Sequence, residues 1–426
     1  MKYLLSTLFS CLVLITFGQK TLIHAGKVLD GVKEKPSSEQ TLIVEEGKIV
    51  GVVSGYQSPE GDNIVIDLKD MTVLPGLIDM HVHVEGETSP DRYLKMFTQN
   101  PADVAYDAAV YMKKTLMSGV TTVRDLGGSG VNVSLRNAIN RGKVDGPRIL
   151  TAEKALSITG GHADPTNGYR RELMGDPGPK EGVVNSIEDA KKAVRWRYKV
   201  GADWIKITAT GGVLSVAKDG LGPHFQEEEI AAIVKAAKDL GLDVAAHAHG
   251  TEGMKRAIRA GVRTIEHGTF MDEEAMDLMV KMNCYYIPTI SAGKYVEGKA
   301  KTPGYFPPVV AAKAAAIGPQ IQDNFRRAYM KGVPIGFGTD AAVFPHGDNW
   351  KELVYMNEAG MPAIEAIMAA TSVNAKILRM EDQIGAIKEG LSADIIAVEG
   401  DPLKDLEVFE NVLFVMKSGK VYKQLN

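Results

Sequence analysis

Nine histidines are spread along the sequence, and their spacing suggests chemistry before any fold is drawn. His81-Val82-His83 places two imidazoles at positions i and i+2 of an apolar run. On a strand both side chains point to one side, where the pair can chelate a single metal ion. His247 and His267 each close a further short run and offer one more nitrogen apiece. Asp340, in Gly338-Thr339-Asp340, can bind the metal or the attacking water. Lys206 stands inside Trp204-Ile205-Lys206-Ile207-Thr208, where an inward ammonium is costly unless it is paired or modified. Two readings stay open for it. One is an ion pair with an acid such as Asp340, and the other is an N-carboxylated lysine whose carbamate bridges two metals.

Other candidates carry less. Gly127-Gly128-Ser129-Gly130 could cradle a phosphate, but it matches neither the P-loop nor the dinucleotide fingerprint, and a plain loop after a strand is simpler. Arg170, Arg171 and Lys180 can receive a substrate carboxylate or simply face solvent. His224 and His346 line the pocket or only its rim. No serine sits in a nucleophile elbow, so a serine hydrolase is not supported.

These side chains need elements to hold them. From Met71 to about Ala341 short β-branched runs alternate with helical patterns. The expected strands are Thr72–Val84, Gly119–Asp125, Arg148–Ala152, Asp203–Thr208, Asp243–His247, Arg263–His267, Tyr285–Ile290 and Pro334–Asp340. Eight strands with intervening helices predict an α/β fold, a (β/α)8 TIM barrel. Every histidine but His24 then falls at or just beyond a strand's C-terminal end, the face where such barrels build active sites. The helix expected over Glu227–Leu240 shows Ile230, Ile233, Val234, Ala237 and Leu240 at helical spacing, with Gly241 as its stop. Thr251 is the expected cap of the next helix and Gly261 its end. The flanks, 19–74 and 385–426, are turn-rich strands and predict a small composite β-sandwich around a barrel over 75–384. Pro303–Pro308 reads as a lid or interface loop.

Composition fits a folded protein without a polyanionic partner. The chain has 426 residues, 49 Lys+Arg against 53 Asp+Glu and a net charge of −4, which argues against electrostatic nucleic-acid binding. Leu4–Phe17 is too short an apolar run to span a bilayer. Behind a single Lys2 it reads as residues 1–18 of a secretory signal, cleaved near Gly18-Gln19, which predicts a periplasmic or secreted protein. A lipoprotein through Cys11 is the lesser alternative. Cleavage leaves Cys284 alone, so no internal disulfide holds the fold.

Two segments give a resemblance to a known family. Leu74-Pro75-Gly76-Leu77-Ile78-Asp79-Met80-His81-Val82-His83 resembles the strand-one signature of the amidohydrolase superfamily. Gly385-Ala386-Ile387-Lys388-Glu389-Gly390-Leu391-Ser392-Ala393-Asp394 resembles its re-entry into the small β-domain. The likeness runs from about Leu22 to Tyr422 and is strongest to the imidazolonepropionase-like and prolidase-like branch. There Thr159-Gly160-Gly161-His162, Thr208-Ala209-Thr210-Gly211-Gly212-Val213 and Ala246-His247-Ala248-His249-Gly250 have counterparts.

The resemblance implies a binuclear site. His81, His83 and Asp340 would hold one ion, His247 and His267 the other, with carboxylated Lys206 as the bridge. One-metal members lack that lysine. Zinc suits imidazole and carboxylate, though manganese or cobalt fit the same ligands. Two such ions can share a hydroxide whose proton Asp340 takes and passes to the leaving amine. His249, where several members place a tyrosine, would polarise the carbonyl, and His162 would touch substrate. The implied activity is hydrolysis of Xaa-Pro or Xaa-Arg/Lys dipeptides or of N-acyl amino acids. The implied assembly is a homo-oligomer. The alternatives are a hydrolase of a cyclic amide, lactam or xenobiotic amide, and a non-catalytic binding protein. All six ligand positions are present, against the last.

Overall fold

The two chain ends build one sheet, and the middle of the chain builds two others, in a computed structural model that describes residues 19–218 and 220–424. The proposed signal segment and Cys11 lie outside the described residues. Strands β1 (Thr21–Val28), β2 (Ser37–Glu45), β3 (Lys48–Ser54) and β4 (Ile64–Pro75) come first. Parallel strands follow, separated by helices: β5 (Leu77–Val82), β6 (Val120–Asp125), β7 (Arg148–Thr151), β8 (Ile205–Thr208), β9 (Val244–Ala248), β10 (Thr264–His267) and β11 (Tyr285–Ile287). The chain closes with β12 (Ile395–Glu399), β13 (Val412–Lys417) and β14 (Lys420–Gln424).

The strands of the expected composite β-sandwich pair in one continuous seven-stranded sheet, ordered β14-β13-β12-β4-β1-β2-β3. β4 joins the two chain ends, running parallel to β1 and antiparallel to β12. Strand twist lets so long an element turn one arm of the sheet towards the other. Ile23, Leu42 and Ile49 from one arm share a core with Ile395, Phe414 and Met416 from the other. The amide of Ile49 also donates to Leu391 O at 2.9 Å.

The expected strand Thr72–Val84 is two strands, broken at Gly76. There the chain passes between sheets, and a Cβ would lie 2.1 Å from Thr121 Oγ1. Only glycine fits so close an approach.

Seven of the eight expected inner strands form, in two parallel sheets ordered β5-β6-β7 and β11-β10-β9-β8. The eighth, 334–340, is not a regular strand, yet its backbone bonds to both sheets. Pro334 O accepts from Tyr286 N (2.8 Å) and Phe337 O from Met80 N (3.1 Å), while Asp340 N donates to His81 O (2.7 Å). Gly336 and Gly338 let it pack tightly, since a Cβ at either would press on Ile287. The Asn374 amide substitutes for missing strand pairing. Its Nδ2 donates to Ile78 O (2.7 Å) and Phe337 O (2.8 Å), and its Oδ1 accepts from Phe337 N (3.2 Å). On the opposite flank Leu156 bonds to Lys206 O and is bonded by Thr208 N.

The helices follow their apolar spacing. Glu227–Asp239 buries Ile230, Ile233 and Ala237 and starts with a Gln226/Glu229 capping box. Thr251 does not cap the next helix, Thr251–Ala260. Gly250 holds that position because a Cβ there would lie 1.9 Å from Leu221 O, and the Thr251 hydroxyl donates to Phe270 O instead. Gly261 ends the helix as expected. Cys284 is buried, and burial pushes its thiol pKa up. Among the described residues no helix is long and apolar enough to cross a membrane.

Asn374→Leu should lower stability by about 2–4 kcal/mol, since it removes three hydrogen bonds to buried backbone groups, of which Phe337 O alone keeps a stated partner, Met80 N. Urea unfolding checks this, and an unchanged midpoint would contradict it.

Candidate metal centre

The floor of the site is a buried charge chain that begins on β6, the strand beside the one that carries His81. Arg124, near the end of β6, is fully buried, with its guanidinium 4.5 Å from the Trp204 ring. It donates to Met80 O (2.7 Å), Thr264 Oγ1 (3.1 Å) and Glu266 Oε1 (2.8 Å). Glu266 Oε2 in turn meets His81 Nδ1 at 2.9 Å. Burial alone would raise the Glu266 pKa, but Arg124 and His81 outweigh it and hold it down at about 2. A carboxylate can only accept, so His81 Nδ1 carries the proton and Nε2 keeps its lone pair. His83 is set the same way, with Nδ1 donating to Gly127 O at 2.8 Å. His247 is reversed: Nε2 faces Gly211 O at 3.0 Å, leaving Nδ1 as the free nitrogen.

These rings converge with five more groups. His267 and His249 hydrogen-bond through Nδ1 to Thr289 Oγ1 and Thr269 Oγ1, both at 2.8 Å. Ring centroids are 4.5 Å apart for His247–His267, 4.9 Å for His249–His267 and 5.0 Å for His81–His267. His162 stacks on His247 at 4.5 Å. Asp340 Oδ1 lies 3.3 Å from His83 Nε2 and 3.6 Å from His81 Nε2, yet no donor is aligned on it. Lys206 Nζ is 3.4 Å from His81 Nε2. The bland reading of Lys206 as an ion pair with Asp340 is not met, since no carboxylate among the described residues lies within bridging distance. His267 (φ +71°), Thr289 (φ +54°) and Asp340 (φ +60°) hold left-handed backbone conformations that disfavour side chains. Such strain gathers where geometry must be fixed for function.

The donor set fits a divalent metal. His81, His267 and Asp340 form one buried group, and His247, His249 and His267 another, each with ligand atoms within 4.8 Å of one another. Imidazole nitrogen with carboxylate oxygen suits zinc-like ions. Burial drives His81 down to about 4 and His249 to about 3, and it holds His162, His247 and His267 well below an ordinary histidine. Neutral rings are what a metal requires. Burial would raise the Asp340 pKa, but His81, His83 and Lys206 outweigh it and keep it an anion.

The remaining sequence candidates sit elsewhere. His346 is fixed by Gly86 O (2.9 Å) and Thr115 Oγ1 (3.3 Å) and stacks on Tyr111. His224 Nδ1 is 3.4 Å from the His162 amide, behind the cluster's edge, and His24 bonds to Gln57 O in the seven-stranded sheet. Arg170, Arg171 and Lys180 are exposed, Lys180 lying over the Trp196 ring. The glycine-rich loop holds no phosphate site, because the Glu85 carboxylate fills it. Sequence reading missed Arg124, Glu266, Thr269 and Thr289. A charged residue inside each of the apolar strands β6 and β10 was the available signal, since buried charges demand partners.

The amidohydrolase family model matches residues 72–422. The ochratoxinase of Aspergillus niger is 32% identical over 431 residues, covering 95% of this chain and 86% of that protein. A solved structure described as a Xaa-Pro dipeptidase with bound methionine in the active site is 53% identical, with a TM-score of 0.93. That match covers 95% of this chain and all of the other. A prolidase complexed with N-methylphosphonate-L-proline is 32% identical, with a TM-score of 0.86, covering 96% of this chain and all of the other.

Six imidazoles are held below their free value, the five above and His346 at about 4. An unfolded chain takes up protons on all six near pH 6.5, so their stabilisation is full above that pH and lost on acidification. Asp79, raised by burial to about 6, and Glu352, raised to about 7, act in the opposite sense, as does His83, raised by Asp340. Chelator-treated protein should therefore lose stability between about pH 7.5 and 5.5, by about 1.4 kcal/mol per pH unit for each net proton. Urea midpoints at the two pH values check this, and a higher midpoint at the acid end would contradict it.

Proposed function

The chain belongs to the amidohydrolase family, a hydrolase of carbon–nitrogen amide bonds, and we propose that it splits dipeptides or N-acyl amino acids with two divalent ions, zinc by preference. One observation carries the reading: buried His81, His267 and Asp340 bring ligand atoms within 4.8 Å of one another, Lys206 lies against His81 with no carboxylate in bridging distance, and no donor is aligned on Asp340 Oδ1. His81, His83 and Asp340 would hold one ion, and His247 and His267 the other. Lys206 would bridge them as a carbamate. Burial drops its pKa to about 8, which leaves part of the amine unprotonated and open to carbon dioxide at neutral pH. A closed (β/α)8 barrel is part of the same reading, supported by the bonds of 334–341 to both parallel sheets.

When bound, the ions supply Lewis acidity, lowering the pKa of water and polarising the scissile carbonyl. The chain's own groups do the rest. Asp340, an anion at neutral pH, accepts the proton of the attacking water and returns it to the leaving nitrogen. His249 is oriented by Thr269 and can hydrogen-bond the developing oxyanion through Nε2. His162 Nδ1 is buried without a partner and is free to bind substrate. Val213, Phe306 and Val310 share an apolar cluster with Phe270 and Val343, which follow His267 and Asp340 by three residues each in the chain, and this cluster would exclude water from the mouth.

Likeness to a Xaa-Pro dipeptidase, a prolidase and an ochratoxinase supports the substrate class. Export belongs to the proposal too, and the amino-terminal sequence of the mature protein tests it. Zinc-loaded enzyme should release amino acids from a dipeptide or N-acyl amino-acid panel, and chelated enzyme should not. Failure on every member, with hydrolysis of a lactam, would overturn the proposal. His249→Ala should lower kcat by about 10²–10³ with metal content retained. Loss of metal instead would make His249 a ligand.

A further inference from the structure

The loop Gly127–Gly130 takes no part in the proposed reaction, yet it is built around a carboxylate of the chain itself. Glu85 Oε2 accepts from Ser129 N at 2.7 Å, and Oε1 accepts from Asn132 N at 2.6 Å. The helix that starts here, Val131–Asn140, has Gly130 at its N-cap, which offers no side chain, and Ser129 Oγ accepts only from Val131 N, at 3.4 Å. Glu85 supplies that cap from a different loop. The fit is close: a Cβ at Gly128 would lie 2.5 Å from Glu85 Oε1. Asn132 ties the same corner down, its Nδ2 donating to Asp125 Oδ2 (2.7 Å) and Glu153 O (2.8 Å).

The loop's other end faces the metal centre. Gly127 has a φ of +144°, and its carbonyl takes the Nδ1 hydrogen of His83 at 2.8 Å. His83 and Glu85, two residues apart in sequence, therefore grip opposite ends of one short loop. A shift of that loop removes the bond that orients the half-buried His83 ring, whose other contacts include the His81 ring, with centroids 5.5 Å apart, and Asp340 Oδ1 at 3.3 Å.

We propose that Glu85 is a positioning residue. Its carboxylate holds the 127–130 loop so that the Gly127 carbonyl keeps His83 Nε2 turned towards Asp340. The inference rests on reading His83 as a metal ligand. Two backbone donors converge on this carboxylate, so glutamine is not equivalent: its amide NH2 must face one N–H and lose that bond.

The test is zinc affinity, measured by competition with a chromophoric chelator, for wild type, Glu85→Gln and Arg136→Met. Arg136 lies on the same helix but pairs with Asp203 and Gly201 O, away from the loop, so its variant measures mere loosening of the helix. Glu85→Gln should weaken zinc binding by about 10–100-fold, as expected for a group that orients a ligand, while Arg136→Met should not. Wild-type affinity in Glu85→Gln, or an equal loss in Arg136→Met, would overturn the proposal. If the wild type binds no zinc, the ligand reading fails, and the ¹⁵N signals of His83 decide the orientation. A changed tautomer in Glu85→Gln then supports the positioning role, and unchanged signals overturn it.

Discussion

Crowding imidazoles out of water around one carboxylate is the constraint on which the rest of the structure depends. A buried ring cannot keep a second proton, so His81, His247 and His267 are neutral and each presents a lone pair inward. Lone pairs facing one another gain nothing unless a cation sits between them. Lys206 adds an ammonium that burial destabilises, and Asp340 adds an anion with no aligned donor. Divalent ions would relieve the costs of the lone pairs and of the carboxylate, and loss of its proton would relieve that of Lys206.

Everything beneath and around the cluster acts to stop the rings from escaping that arrangement. Arg124 and Glu266 fix the His81 tautomer from below. Thr269 and Thr289 hold two rings from the side, and backbone carbonyls hold two more. Left-handed backbone at His267 and Asp340 is retained because strands and helices on both sides leave no slack. Asp79 reaches under Asp340 to the Thr339 hydroxyl (2.7 Å) and Asn349 Nδ2 (2.7 Å), so the segment that carries Asp340 is pinned although it forms no regular strand.

Much of this was legible in the residue order. Period-two spacing in His81-Val82-His83 put both imidazoles on one side, and seven inner strands lie where β-branched runs placed them. What local pattern could not give was whatever depends on close approach between distant segments. Gly76 splits an apparently continuous strand because of Thr121, and Gly250 displaces Thr251 from a cap because of Leu221 O. Pro334–Asp340 has strand composition, but its glycines and the Asn374 amide impose another path. The chain ends alternate as a sandwich would, while the pairing of β4 with both arms makes them one sheet. Nothing in the local pattern marks Glu85. Its capping role needs a helix whose start lies more than forty residues away.

Metal content measured by plasma mass spectrometry on protein loaded with zinc and then desalted tests the central claim most directly. The account predicts about two ions per chain in the wild type. It also predicts a marked loss in Asp340→Asn, which removes the carboxylate at the centre of the cluster. Protein that retains its fold by circular dichroism but holds no zinc, or Asp340→Asn protein with full content, would contradict it.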